Sequence, residues 1–335
     1  MNAFPWSPAA VAFAIGVVAT PLVRWAAQRF GLLDRPNERS SHTRITPRGG
    51  GVAVALSLAG ALLVSGTGGR QGVAFLAGAL AMSLLGLCDD RFSLPALPRL
   101  AAQAIVAAGL VWAIGGLESL PLPPPLCVAL GALGAPLAVL WIVAVVNFYN
   151  FLDGIDGLAG LQGVVTGAGI AIAAWDPFAA AFGASTAGAC LAFLLFNWSP
   201  ARLFLGDVGS LLLGYAFATL PLLAPAGVRS SAVLLVALSL FLFLADATWT
   251  RVGLIARRAR WYAPHREHVY QRLVASGFSH ARTASLIGLG SLSLTGAGLL
   301  AFRRSEPAAG WSALGLATVL FLAELGIVRW REARR

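Results

Sequence analysis

Residues 126–156 decide the fold: they read LCVALGALGAPLAVLWIVAVV over 126–146 and NFYNFLDGID over 147–156. The first part carries no charge and has the length of about 20 residues that a helix needs to cross a bilayer. The second part brings amide and carboxylate groups directly after it. An ionised carboxylate beside hydrocarbon costs several kcal/mol unless water, a partner or a metal compensates it. The stretch therefore predicts a membrane helix that ends at a polar site.

The same apolar character extends along the chain. Hydrophobic residues make up 58% of the 335 residues and charged residues 11%, and the mean hydropathy is +0.78, whereas a soluble domain is about one-quarter charged. The apolar stretches lack the alternation of barrel strands, so the predicted fold class is all-α, a polytopic membrane helix bundle. We expect about eleven transmembrane helices, or ten if one short stretch does not span, at 7–24, 50–66, 72–88, 99–116, 126–146, 157–174, 178–196, 208–224, 231–250, 283–301 and 309–329.

The basic residues predict the orientation. All of the 24 Lys and Arg positions are Arg, and 20 of them fall in connections on one side of the predicted bundle. The other side carries Arg70, Arg229, Arg303 and Arg304. By the positive-inside rule the 20-arginine side is cytoplasmic, which places the N-terminus outside and the C-terminus in the cytoplasm. Because no positive region precedes the first span, we expect it to be an anchored helix rather than a cleaved signal.

No soluble domain separates from the spans, so residues 1–335 are predicted to form a single integral-membrane domain. Its cytoplasmic loops are expected at 25–49, 89–98, 147–156, 197–207 and 256–282. The net charge of +10 then reflects topology and contact with anionic lipid, and we expect no nucleic-acid partner. Cys88, Cys127 and Cys190 belong to separate apolar segments, and they form neither a disulfide framework nor a CxxC zinc motif.

Three acidic groups lie at span ends on the predicted cytoplasmic side: Asp89 with Asp90, Asp153 with Asp156, and Asp207. Neighbouring carboxylates repel, so a divalent cation or a basic group should be close, and Mg²⁺ prefers such hard oxygen ligands. The plainer alternative for the adjacent pair is an interfacial pair solvated by water.

The run after the fifth span is the densest in polar groups. Asn147 and Asn150, like Asp153 and Asp156, are three residues apart, so a helical run would align them on one face. Their alternative role is capping of a helix end. Because the run exceeds what capping needs, we favour a site.

Two basic loops supply the opposite charge. Arg48 precedes three glycines, and residues 264–272 read PHREHVYQR. His265 and His268 lack a third His or Cys to complete a zinc site, so phosphate contact is the better interpretation. An amphipathic helix lying on anionic lipid is the alternative for this loop. Asp246 is expected to form an interfacial ion pair near Arg251.

Taken in order, these motifs resemble the polyprenyl-phosphate N-acetylhexosamine-1-phosphate transferases. The resemblance runs from Asp34 to about Arg282. It rests on the Asp-Asp pair, the Asn-x-x-Asn-x-x-Asp-Gly-x-Asp-Gly run, Phe-Leu-Gly-Asp-x-Gly-Ser and His-x-x-His-x-Tyr-Gln-Arg. Any one motif is weak evidence, whereas four in order are strong.

The resemblance implies site residues as well as a family. It implies that Asn150 and Asp207 hold Mg²⁺, for which Mn²⁺ is a substitute, and that Asp89, Asp90 and Asp207 are the catalytic carboxylates. The residues expected to bind substrate are Arg48, Asn147, Asp153, Asp156, His265, Arg266 and His268.

The implied reaction moves an N-acetylhexosamine 1-phosphate from a UDP-sugar to undecaprenyl phosphate and releases UMP. This would start a lipid-linked surface glycan such as O-antigen. The implied location is the bacterial inner (plasma) membrane, with the active site on the cytoplasmic face, membrane lipids as further partners and a homodimer left open. The muramoyl-pentapeptide branch of the family has lysines around its phosphates, and this chain has none, which favours the amino-sugar branch.

Two other functions compete with this one. A membrane transporter or channel with a cytoplasmic carboxylate site would need acidic residues deep in the spans or on both faces, and Glu118, Asp176 and Glu306 on the far side lack polar company. A CDP-alcohol phosphotransferase would need an Asp-Gly-x-x-Ala-Arg pattern, and no Arg follows Asp153-Gly-Ile-Asp-Gly-Leu-Ala.

Overall fold

The computed structural model describes residues 7–36, 44–65, 69–259 and 266–334 as a helix bundle with one small hairpin. In the hairpin, β1 (Leu33–Asp34) pairs antiparallel with β2 (Thr46–Pro47). The helices, in chain order, are α1 (Ser7–Arg29), α2 (Gly51–Ser65), α3 (Gly69–Phe92), α4 (Ala96–Ile114), α5 (Gly134–Phe151), α6 (Leu158–Ala173), α7 (Pro177–Asn197), α8 (Asp207–Thr219), α9 (Arg229–Ser239), α10 (Phe241–Ala256), α11 (Val269–Ala275), α12 (His280–Arg304) and α13 (Pro307–Glu332).

The lengths of these helices match a membrane protein. Seven described helices are long and apolar enough to cross a bilayer, namely α1, α3, α4, α5, α7, α12 and α13. The bent pair of α9 and α10 forms an eighth if it is counted as one span, and α2, α6 and α8 are shorter apolar helices. Each predicted segment therefore corresponds to one helix or one bent pair, and the prediction of an all-α polytopic bundle is confirmed.

Two predicted segments differ from the structure by more than a shift of a few residues at their ends. The fifth was expected from residue 126, but α5 begins at Gly134 after a 3₁₀ turn at Gly131–Leu133. The residues before it fold back on themselves: Ser119 bridges to Ala129, and the N–H of Leu130 donates to the carbonyl of Glu118 at 3.0 Å. This pairing takes up the backbone groups that a helix would have used.

The ninth segment was expected to be one helix over 231–250, but it bends by 71° between α9 and α10. Polar side chains from other helices gather at the break. Gln162 donates to the carbonyl of Ser239 at 2.8 Å, and the hydroxyl of Ser239 lies 2.8 Å from those of Thr166 and Thr295. A break inside an apolar bundle needs such partners, because no water is present there to satisfy the backbone.

Helix α8 lies at the centre of the bundle. All of its residues from Val208 to Thr219 are buried. Small residues let its neighbours approach closely: a Cβ on Gly214 would lie 2.8 Å from the Cα of Val146 in α5, and one on Gly86 in α3 would overlap the backbone of Asp207. The bundle therefore fixes the start of α8 against the ends of α3 and α5. We call this end of the bundle the carboxylate end.

Candidate active site

The centre of the candidate site is Asp207, the first residue of α8. Asn150, in the last turn of α5, donates from Nδ2 to Oδ1 of Asp207 at 2.7 Å and to the hydroxyl of Ser210 at 2.8 Å. Two elements that are distant in sequence are thus joined by one amide side chain. The two residues for which a metal role is predicted lie in direct contact.

Asp90 joins this pair from the end of α3. Its Oδ2 accepts a hydrogen bond from the N–H of Val208 at 3.2 Å. Gly206 has a φ of +75°, and a Cβ on it would lie 2.6 Å from the same oxygen. Only glycine suits a position that combines a left-handed backbone with such a close approach.

Arg48 reaches the same point from the segment before α2. It donates to the backbone carbonyl of Asp90, and its Nε lies 3.7 Å from Oδ1 of Asp90. The segment is held in place because the N–H of Phe204 donates to the carbonyl of Pro47 at 2.9 Å and the N–H of Gly50 donates to Phe204 at 2.8 Å. The first basic loop therefore lines the acidic cluster.

Asp89 shares a cation with Asp207. Arg99, near the start of α4, forms an ion pair with Asp89, and its Nη1 lies 3.8 Å from Oδ2 of Asp207. Asp89 also accepts the N–H of Leu94 at 2.8 Å. Sequence reasoning assigned Arg99 to membrane topology alone and so missed it. The available signal was its place at the start of the helix that follows the acidic pair.

The polar run after α5 divides into two parts. Asn147 lies in the helix with Asn150, but its Nδ2 donates to Oε1 of Gln103 at 2.6 Å and to the carbonyl of Val143 at 2.8 Å. Helix α5 ends at Phe151, so the predicted helical run does not extend to Asp153 and Asp156. Gly157, with a φ of +80°, lies at the end of the turn that carries them.

The two carboxylates of that turn have opposite environments. Asp153 is half-buried, and burial together with the negative charges of Asp207 and Asp90 raises its pKa well above the ordinary 3.8. Burial also raises the pKa of Asp156, but its contact with Nδ1 of His280 at 3.3 Å and the N–H of Ala201 at 3.1 Å more than offset this, so its pKa is lowered.

The second basic loop lies against the end of α5. The His268 ring stacks on Phe151 with centroids 6.3 Å apart, and the hydroxyl of Tyr270 donates to the carbonyl of Phe151 at 3.1 Å. Arg266 is exposed, whereas His265 lies outside the described residues. Asp246, expected to form an interfacial ion pair, is buried, and its Oδ1 lies 3.0 Å from Nδ1 of His268.

The cluster offers hard oxygen donors, the type that Mg²⁺ prefers. Asp89, Asp90 and Asp207 carry carboxylates, and Asn150, whose amide nitrogen faces Asp207, carries an amide oxygen. Among the described residues no group of three or more His, Cys, Asp and Glu side chains is arranged to hold a metal ion by itself. The roles predicted for all these residues stay predictions.

Comparisons with known proteins identify the family. A model described as glycosyl transferase family 4 matches residues 73–224. The chain is 33% identical over 282 residues to a Bacillus subtilis (strain 168) protein named "Probable undecaprenyl-phosphate N-acetylglucosaminyl 1-phosphate transferase", covering 82% of this chain and 78% of that protein. It is 30% identical over 317 residues to the "Decaprenyl-phosphate N-acetylglucosaminephosphotransferase" of Mycobacterium leprae (strain TN), covering 81% and 77%.

A shorter match reaches the other branch. Over 56 residues the chain is 57% identical to the "Phospho-N-acetylmuramoyl-pentapeptide-transferase" of Heliobacterium modesticaldum (strain ATCC 51547 / Ice1), 17% of each chain. The long matches carry the assignment because they span most of both proteins. The chain is a multi-pass membrane protein and belongs to glycosyl transferase family 4, the family of the polyprenyl-phosphate N-acetylhexosamine-1-phosphate transferases.

Proposed function

We propose that the protein transfers an N-acetylhexosamine 1-phosphate from a UDP-sugar to undecaprenyl phosphate and releases UMP. The observation that carries the proposal is the meeting of Asp207, Asn150, Asp89 and Asp90 at one end of a membrane bundle. The two long matches are to proteins whose names describe transfer to undecaprenyl or decaprenyl phosphate. Both names specify N-acetylglucosamine, so UDP-N-acetylglucosamine is the donor to test first.

The reaction exchanges one phosphoanhydride for another. An oxygen of the lipid phosphate forms a bond to the sugar-bearing phosphorus, and the bond from that phosphorus to UMP breaks. A phosphate monoester has its second pKa near about 6 and is mostly a dianion at pH 7, so the attacking oxygen needs no base. What the site must supply is position and positive charge.

The chain's own cations fit that need. Arg99 bridges Asp89 and Asp207, and Arg48 lies beside Asp90. An arginine held by carboxylates is oriented before substrate arrives, and its planar fork suits phosphate oxygens. Asp89 therefore acts in this proposal as the group that orients Arg99 rather than as a general base.

Mg²⁺ is proposed at Asp207 and Asn150, with Mn²⁺ as a substitute. The metal would neutralise phosphate charge and stabilise the leaving UMP. Asn150 contributes by fixing the side chain of Asp207, with which it shares a 2.7 Å hydrogen bond. The preformed contact favours one orientation of both oxygen ligands.

We place the reaction on the cytoplasmic face of the bacterial inner membrane. The support is the positive-inside rule, since 20 of the 24 arginines fall on the side predicted to hold the carboxylate clusters. The bilayer would hold the prenyl tail of the acceptor while its phosphate reaches the site. An early step of a lipid-linked surface glycan, such as O-antigen, is the role that this placement fits.

The test is UMP release from UDP-N-acetylglucosamine and related UDP-sugars, in membranes supplied with undecaprenyl phosphate and Mg²⁺. Asp207→Asn should reduce the rate by about 100- to 1,000-fold, the usual cost of losing a group that stabilises transition-state charge. Asp176→Asn is the matched control, because Asp176 caps α7 by accepting the N–H of Ala179 at 2.8 Å and Asn caps about as well.

Two results would count against the proposal. Full activity of Asp207→Asn would remove the metal assignment. A wild-type protein that releases no UMP from any UDP-sugar, while remaining folded, would favour the transporter alternative.

A further inference from the structure

Asp246 is a buried acid that the proposed reaction does not use. It lies in α10, with 2% of its surface exposed. The hydroxyl of Thr250, one turn later in the same helix, donates to its Oδ1 at 3.0 Å. A carboxylate buried this deeply needs several hydrogen bonds to be tolerated.

The remaining hydrogen bonds come from three consecutive residues of the loop before and at the start of α11. Nδ1 of His268 lies 3.0 Å from Oδ1 of Asp246. The N–H of Val269 donates to the same oxygen at 2.9 Å, and that of Tyr270 donates to Oδ2 at 3.2 Å. One side chain therefore fixes both the backbone of this turn and the ring of His268.

The same turn lies against the end of α5, next to the candidate site. The His268 ring is 4% exposed and is stacked between Phe151, at 6.3 Å, and Tyr270, at 5.8 Å between centroids. Phe151 follows Asn150 in the chain. His268, which Asp246 contacts, therefore packs on the residue that follows the proposed metal ligand.

We propose that Asp246 is the positioning residue of His268, fixing its ring orientation and its tautomer. Both carboxyl oxygens of Asp246 accept hydrogen bonds from backbone N–H groups, so in this arrangement Nδ1 of His268 donates to Oδ1 and carries a proton. Any contact of His268 with a phosphate or sugar oxygen is then made through Nε2. An aspartate that holds a histidine in one tautomer is a known way to set which nitrogen meets the substrate.

A purely structural role would give a different result. If Asp246 only stabilised the start of α11, its loss would affect the enzyme equally whether or not His268 was present. If it acts through His268, its loss should matter only while the imidazole is there. A double-mutant cycle separates the two roles.

The first experiment measures kcat and KM for Asp246→Asn, His268→Gln and the double variant. It rests on the proposed function because it needs the transferase assay. Asp246→Asn should lower kcat by about 10- to 100-fold, the usual effect of losing a residue that orients a functional group. In the His268→Gln background the same change should cost less than about 2-fold. Equal losses in both backgrounds, or no loss in the single variant, would overturn the proposal.

Glu324→Gln is the matched control. Glu324 is another buried acid, 6% exposed in α13, and its Oε2 has no hydrogen-bond partner within the described part of the chain. Glu324→Gln replaces an acid with its amide, as Asp246→Asn does, but it removes no hydrogen bond to the His268 turn. Its kcat should stay within about 2-fold of wild type, below the loss that an orienting partner causes. A loss as large as that of Asp246→Asn would mean that any acid-to-amide change near Asp246 lowers activity, and would overturn the proposal.

The second experiment needs no activity. In protein labelled with ¹⁵N-histidine, the ring signals that disappear in His268→Gln identify His268, and their shifts report which nitrogen carries the proton. We expect a protonated Nδ1 in wild type and a mixture of tautomers in Asp246→Asn. An unprotonated Nδ1 in the wild type would overturn the proposal even if Asp246→Asn does not fold. Because this readout is independent of UMP release, failure of the proposed function is told apart from failure of the inference.

Discussion

Substitution of Arg99 should show how the negative charge of the acidic cluster is neutralised. Its guanidinium pairs with Asp89 and lies near Asp207, so Arg99→Gln leaves two carboxylates without their shared cation. We predict about a 100-fold fall in UMP release, the scale seen when one charge-stabilising donor is removed. Arg99→Lys should recover part of the rate, since an ammonium is a point charge that cannot bridge both partners.

Arg91→Gln is the control for Arg99. Arg91 is exposed and lies over the ring of Phe92 at 5.7 Å, so the same change of charge occurs at the same end of α3 without touching the cluster. A rate for Arg91→Gln as low as that for Arg99→Gln would mean that general surface charge, rather than the bridge, is responsible.

Asp153 gives a prediction about pH. Its pKa is raised in the folded protein, so folding favours the protonated form and stability falls as pH rises above the ordinary 3.8. Asp153→Asn should therefore raise the apparent melting temperature in detergent at pH 7 by a few degrees. The gain should shrink toward zero near pH 3, where the carboxyl group is protonated in both states.

Asp156→Asn is the matched comparison, and its effect should have the opposite sign. The pKa of Asp156 is lowered, so its ionised form stabilises the fold above the ordinary 3.8, and this contribution is lost as pH falls through the lowered value. The variant should melt below wild type at pH 7. Equal changes in melting temperature for Asp153→Asn and Asp156→Asn would show that the environments of the two carboxyl groups do not differ in this way.

Much of the cluster could be predicted residue by residue. Asp89, Asp90, Asn150 and Asp207 each lie where a span begins or ends on one side, and an alternating chain brings such ends together. Asp246 could not be placed, because its contacts depend on how α10 and α11 pack. Asn147 looked identical in type to Asn150, and only the packing of α4 against α5 turns it toward Gln103.

At the scale of elements, the start of α8 depends on small residues in its neighbours. A methyl group on Gly86 would overlap the backbone of Asp207 and Val208, so Gly86→Ala should push α8 away from α3 and displace Asp207. We predict a loss of about 1–3 kcal/mol in stability from overpacking, with UMP release falling although no polar group has changed.

Gly109→Ala is the control at this scale. Gly109 lies inside α4, where an added Cβ would meet no atom within 4 Å, so the substitution should be neutral or stabilising by up to about 1 kcal/mol. Gly86→Ala should have a lower melting temperature and a lower rate of UMP release than Gly109→Ala. A fully active Gly86→Ala protein would contradict the close approach of α3 and α8.

The elements also mark the limit of sequence reasoning. Residues 231–250 contain neither Gly nor Pro, so nothing local predicts the 71° bend between α9 and α10. The polar groups that satisfy the break come from α6 and α12, through Gln162, Thr166 and Thr295. A break stabilised from outside the helix cannot be seen in the sequence of the helix itself.

At the scale of the whole molecule, the orientation in the membrane is still a prediction, and the cysteines offer a test. Cys127 is exposed at the far end from the carboxylate cluster, whereas Cys190 is buried. With the carboxylate end in the cytoplasm, an impermeant maleimide added from outside should label Cys127. Cys88 is also exposed, next to Asp89 at the carboxylate end. In a background with both Cys88→Ala and Cys127→Ala, Arg282→Cys, which replaces an exposed residue near the start of α12, should be labelled only after the membrane is opened.

The reverse pattern of labelling would invert the topology and remove the cytoplasmic placement of the site. The bundle itself was predictable because the apolar stretches have helical length and lack the alternation of barrel strands. The way in which the helices enclose the site was not, since that depends on contacts between residues far apart in sequence.

The joining of Asp156 to His280 and of Phe151 to residues 268–270 has a consequence for synthesis. A ribosome delivers the acidic groups, up to Asp207, well before it delivers the segment that braces them. A nascent chain stopped between Asp207 and His268 would enter the membrane with its acidic groups present and without the residues that brace Phe151 and Asp156. Such a fragment should insert into the membrane but show no transferase activity, so the protein becomes active only late in translation.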